Sequence, residues 1–148
     1  MLKNGVEILL VEDNSDDAKL AIHAFEKQHL ANKVCWVQDG VEALEFLFCT
    51  DRYADRNIGN GPKLVLLDLN LPLLDGLEVL RRVKGDPRTH HIPIVVLTTS
   101  REDNDVAEAY KLGANSYILK PVDFEQFLKV TEQLGYYWML LNQPPVVK

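Results

Sequence analysis

The residues best suited to chemistry in this 148-residue chain are Glu12-Asp13, Asp68, the hydroxyl run Thr98-Thr99-Ser100, and Lys120-Pro121. Each group closes a short apolar run. Carboxylates forced together repel and desolvate one another, so a cluster of them calls for a compensating cation. A hard divalent ion such as Mg²⁺ suits a few carboxylates together with waters and phosphate oxygens. Lys120 would add fixed positive charge for an anionic ligand. A carboxylate facing both a metal and a lysine is also a nucleophile toward phosphorus, and attack gives an aspartyl phosphate. Phosphoryl transfer mostly needs positioning and charge neutralisation, which such a site supplies. Asp68, after the central apolar run, lies between the Glu12-Asp13 pair and Lys120 and is the natural acceptor. Any one of these acids alone would more often be a helix cap or a solvated turn residue. Their combination at the ends of successive runs is what points to chemistry.

Something must bring those run ends together. The apolar runs are VEILLV (6–11), KVCWV (33–37), KLVLLDL (63–69), IPIVVLT (92–98) and SYIL (116–119). They do not alternate with polar residues, as expected for parallel strands buried on both faces. Between them lie helical periods: Ala18, Ala21, Ile22, Phe25; then Val41, Leu44, Glu45, Phe48 behind Asp39-Gly40. Leu77, Leu80 and Val83 form a third, stopped by Gly85 and Pro87, and Val106, Ala109, Tyr110 and Leu112 a fourth, stopped by Gly113. A fifth runs from an N-cap at Asp123 through Phe127, Leu128 and Leu134 to about Trp138. The pattern is β-α repeated five times: an α/β, doubly wound, parallel five-stranded sheet with helices on both faces. In such sheets the ligand site lies outside the carboxyl ends of the strands, at the topological switch point. Thr50–Pro62 reads as a long loop, and 139–148 as a C-terminal tail beyond a core of about 6–138.

The segments ILLVEDN (8–14), LVLLDLNLPLLDG (64–76), IVVLTTS (94–100) and GANSYILKP (113–121) resemble the receiver domains of two-component response regulators. Thr98 follows Asp68 by 30 positions and Lys120 follows Thr98 by 22, spacings that fit that family. The resemblance implies a flavodoxin-like (βα)5 fold in a single receiver domain. It implies that Asp68 is phosphorylated by a sensor histidine kinase, with Mg²⁺ held by Glu12, Asp13, Asp68 and the backbone carbonyl of Asn70. It further implies that Thr98 and Lys120 contact the phosphoryl group, that Tyr117 is the aromatic switch partner of Thr98, and that the Lys120–Pro121 bond is cis. Glu12 stands where Asp is also common, which leaves its metal contact direct or water-mediated. Leu66–Pro72, Val95–Ser100, the loop 50–62, Asp86-Pro87 and Tyr137-Trp138 are similar to the small response regulators that accompany phytochromes. That implies a phytochrome kinase as partner.

Composition narrows the alternatives. The chain is 47% hydrophobic and 26% charged with net charge −6, as in an ordinary globular protein. It has no Lys/Arg-rich run for nucleic acid and no apolar stretch near the roughly 18–20 residues of a membrane span. A cytoplasmic protein with Cys35 and Cys49 reduced is expected. A Mg²⁺-dependent aspartate phosphatase would place an acid two residues after the nucleophile, where this chain has Asn70. A flavin-type phosphate loop would be rich in Gly, Ser and Thr, but Glu12-Asp13-Asn14-Ser15-Asp16-Asp17 would repel phosphate. A phosphoacceptor rather than a turnover enzyme is therefore expected. YYWMLL (136–141) is apolar on more faces than one core can cover. The expected use is a homodimer through the fourth helix, fifth strand and fifth helix, with Tyr110, Tyr136, Tyr137 and Trp138 at the interface.

Overall fold

A computed structural model describes residues 5–30 and 33–145. The strands are β1 (Ile8–Val11), β2 (Val34–Val37), β3 (Leu64–Leu67), β4 (Ile94–Thr98) and β5 (Ser116–Leu119). The helices are α1 (Ser15–Lys27), α2 (Gly40–Phe48), α3 (Gly76–Lys84), α4 (Asp103–Leu112) and α5 (Phe124–Tyr136). Helix starts follow local chemistry: Asn14, Asp39, Asp75 and Asp123 each accept a backbone N–H of the first helical turn through a side-chain oxygen. Gly113 closes α4 at φ 110°, a left-handed conformation that a side chain would strain.

All strand pairs are parallel, in the order β2-β1-β3-β4-β5. The unbroken apolar runs serve two cores at once, because successive strand residues face opposite sides. Leu9, Val11, Val65, Leu67, Ile94 and Val96 pack under α2 and α3. Ile8, Leu10, Leu64, Leu66, Val95 and Leu97 pack under α1 and α5. The order reverses at β1 and β3, and the register pairs Val11 with Leu67. Glu12 and Asp68, the next residue on each strand, therefore emerge side by side.

Three expectations are corrected. β5 is only half-buried, and Leu119 is exposed, because an edge strand has no neighbour to cover its far side. The Lys120–Pro121 peptide is trans, like every other peptide bond among the described residues. Trans is the lower-energy isomer by about 0.5–1 kcal/mol, and here Lys120 donates its N–H to the Thr98 carbonyl at 2.8 Å without needing the other. Helix α5 ends at Tyr136 and widens into a π turn over Tyr137–Leu141. The long loop after α2 also carries structure of its own, in two 3₁₀ turns, Asp51–Tyr53 and Ile58–Asn60. Buried Arg56 pins it, stacking 3.8 Å from the centre of the Phe46 ring and donating to the Phe46 carbonyl and, at 3.0 Å, to that of Asn60. Among the described residues no helix is long and apolar enough to cross a membrane.

Gly76 opens α3 directly beneath the strand end that carries Asp68. A Cβ there would overlap the Asp68 carbonyl oxygen and stand 2.6 Å from Leu69 Cα. Overpacking of this kind costs about 1–3 kcal/mol. Gly76→Ala is expected to lower stability by about 2 kcal/mol in urea denaturation, whereas Gly5→Ala, where a Cβ meets nothing within 4 Å, changes it by less than about 0.5 kcal/mol.

Candidate phosphoacceptor and metal site

The carboxyl edge of the sheet gathers four acids around one lysine. Lys120, the residue after β5, is buried, and its Nζ lies 2.6 Å from Glu12 Oε1, 2.8 Å from Asp17 Oδ2 and 2.9 Å from Asp68 Oδ2. The other oxygen of Asp68 accepts the Thr98 hydroxyl at 2.8 Å and the Asn70 N–H at 3.1 Å. Thr98 ends β4 and is wholly buried, so its hydroxyl proton depends on that carboxylate for an acceptor. The second oxygen of Glu12 accepts the Asn14 N–H at 3.1 Å.

Glu12, Asp13 and Asp68 each offer an oxygen, all within 4.8 Å of one another. Oxygen-only donors at that spacing fit a hard cation that keeps part of its water shell, as Mg²⁺ does. Electrostatics support the fit. Burial pushes the Glu12 carboxyl up to about 7, and the neighbouring Asp68 charge pushes the same way, outweighing the hydrogen bond from Lys120. Such a group gains from a cation beside it. Burial alone would lower the Lys120 pKa, but hydrogen bonds to Asp17, Glu12 and Asp68 hold it above the usual lysine range, so the ammonium stays charged.

The structure thus brings together Glu12, Asp13, Asp68, Thr98 and Lys120, with Asn70 attached through its N–H. Tyr117 stands one step away. Its hydroxyl donates to the Ser100 carbonyl at 3.0 Å, while Ser100 Oγ bonds Asp105 in α4 at 2.5 Å. Tyr110, Tyr136 and Tyr137 are exposed. Trp138, expected at the same surface, is instead half-buried against the α1/α5 core, since the π turn swings it inward beside the Tyr137 ring.

Two members of the site were missed by sequence reasoning. In the sequence Asp17 stands only as part of the acidic run Glu12–Asp17. The Asn14 cap was the available signal: it puts Asp17 in the first helical turn, where side chains lean back toward the strand end. Trp36, on β2, donates its indole N–H to the Glu12 carbonyl at 2.7 Å. Nothing in its local sequence marked that contact.

Comparison with known proteins agrees with this geometry. The family profile of the response regulator receiver domain matches residues 8–132. A probable methanogenesis regulatory protein, FilR2 of Methanothrix harundinacea (strain 6Ac), is 42% identical over 93% of this chain and 86% of its own. Response regulator Rcp1 of Synechocystis sp. (strain ATCC 27184 / PCC 6803 / Kazusa) is 36% identical over 89% of this chain and 88% of its own. The Mn²⁺-bound structure of Rcp1 superposes with a TM-score of 0.86 at 35% identity, covering 93% of this chain and 97% of that one. The phosphorylated cyanobacterial phytochrome response regulator RcpA gives a TM-score of 0.87 at 38% identity, covering 93% and 96%.

The raised pKa of Glu12 has a definite sign. Between pH 4.5 and about 7 the folded protein holds a proton that the unfolded chain has released. Stability from this group therefore falls as pH rises through that window, and a divalent cation must compete with the proton in the same window. Mg²⁺ affinity is expected to strengthen from pH 5.5 to 7.5 by about tenfold, with proton release. Trp36 fluorescence in a Trp138→Phe background reads this, and Glu12→Gln should flatten the pH dependence.

Proposed function

This chain belongs to the response regulator receiver family, and on that premise we propose that Asp68 accepts a phosphoryl group from a sensor histidine kinase in a Mg²⁺-dependent reaction. The observation that supports this most is the double hold on Asp68: Thr98 on one oxygen and Lys120 on the other. That hold aims the carboxylate and places a donor on either side of the space an incoming phosphoryl group would fill. An oxygen of Asp68 bonds to phosphorus while the phosphorus–nitrogen bond of the kinase phosphohistidine breaks, and the imidazole leaves with the electron pair. Glu12, Asp13, Asp68 and the Asn70 carbonyl would hold the Mg²⁺, which when bound would neutralise phosphoryl charge. Lys120 then turns its ammonium to a phosphoryl oxygen, and Thr98 transfers its hydroxyl from the carboxylate to another. Asp68 is consumed and restored rather than turning over a separate substrate, so only slow hydrolysis of its own phosphoryl group is expected.

The signal leaves through protein contacts. Thr98, Ser100, Tyr117 and Asp105 join the site to β5 and α4, so a shift of Thr98 is felt on the α4-β5-α5 face. We further propose that this face forms a homodimer, with Tyr110, Tyr136 and Tyr137 at the contact and Trp138 backing them. Leu140 and Leu141, 71% and 59% exposed, extend the apolar surface beyond them. A phytochrome is the proposed kinase, on the likeness to the phytochrome response regulator RcpA. The 42% identity to FilR2 supports a second reading, a receiver serving another histidine kinase.

Incubation with Mg²⁺ and a small acyl-phosphate donor is expected to add one phosphoryl mass to the protein, and none to Asp68→Asn or with the metal chelated. No addition in the wild type, together with no binding of the phosphoryl mimic beryllofluoride, would remove the phosphoacceptor reading. Light-dependent transfer from a purified phytochrome kinase separates the two partner readings. Light scattering of the beryllofluoride form is expected to give a dimer that Tyr136→Ala/Tyr137→Ala weakens at least about tenfold, the usual size of loss when aromatic anchors are removed.

A further inference from the structure

We propose that Asp17 is a positioning residue that anchors Lys120 and limits the positive charge it delivers to the phosphoryl group; this rests on the phosphoacceptor reading above.

A lysine ammonium has three N–H donors and no more. In this structure three carboxylates engage it, Glu12 at 2.6 Å, Asp17 at 2.8 Å and Asp68 at 2.9 Å. Two of the three have another task in the reaction. Asp68 becomes the phosphorylated group, and Glu12 belongs to the oxygen cluster suited to a cation. Asp17 is outside that cluster, and among the described residues Lys120 is its one side-chain partner. Its own N–H is tied to the Asn14 cap at 3.0 Å, which fixes the residue at the start of α1 while its carboxylate reaches a lysine 103 residues away. Once a phosphoryl group is present, Asp17 is the carboxylate still competing for Lys120.

The competition has a direction. Charge shared with Asp17 is charge withheld from the anion, and the Asp17 side chain is 27% exposed against 5% for that of Lys120, so the pull comes from the rim of a mostly buried site. Asp17→Asn keeps the shape and an oxygen acceptor but removes the negative charge. The ammonium then belongs more fully to the phosphoryl oxygens. Asp16 is the matching control: it lies one residue earlier, is exposed, and makes no contact with Lys120.

The experiment is a beryllofluoride titration with saturating Mg²⁺, followed by Trp36 fluorescence in the Trp138→Phe background, on the otherwise wild-type chain, Asp17→Asn and Asp16→Asn. Asp17→Asn is expected to bind about fivefold more tightly than wild type, and Asp16→Asn to stay within about twofold. In a Lys120→Gln background the gain from Asp17→Asn should vanish. A merely structural role predicts weaker binding, since loss of an acid from the first turn of α1 loosens that helix. Unchanged or weaker binding by Asp17→Asn overturns the proposal, as does an equal gain in Asp16→Asn or in the Lys120→Gln background. Should Asp17→Asn not fold, Asp17→Ser carries the same expectation. Wild-type protein that binds no beryllofluoride would sink the phosphoacceptor reading itself, a result distinct from tight wild-type binding that Asp17→Asn leaves unimproved.

Discussion

The buried ammonium of Lys120 is the constraint on which the rest of the site depends. Four acids, Glu12, Asp13, Asp17 and Asp68, crowd the carboxyl edge of the sheet, and the carboxylates of Glu12 and Asp68 are almost wholly shielded from water. Without a positive charge among them the edge would repel itself, and desolvation would make the repulsion stronger. Lys120 contacts three of the four. Burial nevertheless raises Glu12 to about 7, so one lysine is not enough compensation. That deficit is the physical reason the site suits a divalent cation.

The sheet exists, for this purpose, to hold these charges at fixed separations. The β1–β3 register sets Glu12 beside Asp68, and the backbone bond from Lys120 to Thr98 sets the height of the lysine relative to the hydroxyl. Two separate cores, one on each face, make the sheet stiff. Alternate residues of β1, β3 and β4 are fully committed to one core or the other, so a slip of one residue would exchange both. Glycine at position 76 extends the same logic to α3, which approaches the Asp68 backbone more closely than a side chain would allow.

The path outward from the site is short and polar. Thr98 touches Asp68, and two residues on, Ser100 contacts α4 through its hydroxyl and β5 through its carbonyl. β5 is the half-open edge of the sheet, and the exposed Tyr110, Tyr136 and Tyr137 lie on the helices beside it. The least buried strand is thus the one joined to Thr98 through Ser100 and Tyr117. An edge strand has fewer packing partners to resist a shift.

By itself the sequence determined the five strands, the five helices, most of their ends and the set Glu12, Asp13, Asp68, Thr98 and Lys120. These are local matters: unbroken apolar runs, helical periods, acidic caps at Asp39 and Asp123, a stop at Gly113, and acids placed where runs end. Tertiary structure decided what depends on distant partners. The burial of Arg56 over Phe46, the open side of β5, the inward turn of Trp138, the trans bond after Lys120, and the membership of Trp36 and Asp17 all depend on it. Asp17 and Lys120 are 103 residues apart, and each looks ordinary in its own segment. Their meeting follows from strand order and from the direction in which α1 leaves β1. A pattern of types and spacings records which groups reach the edge of the sheet; only the packed chain decides how one ammonium is divided among them.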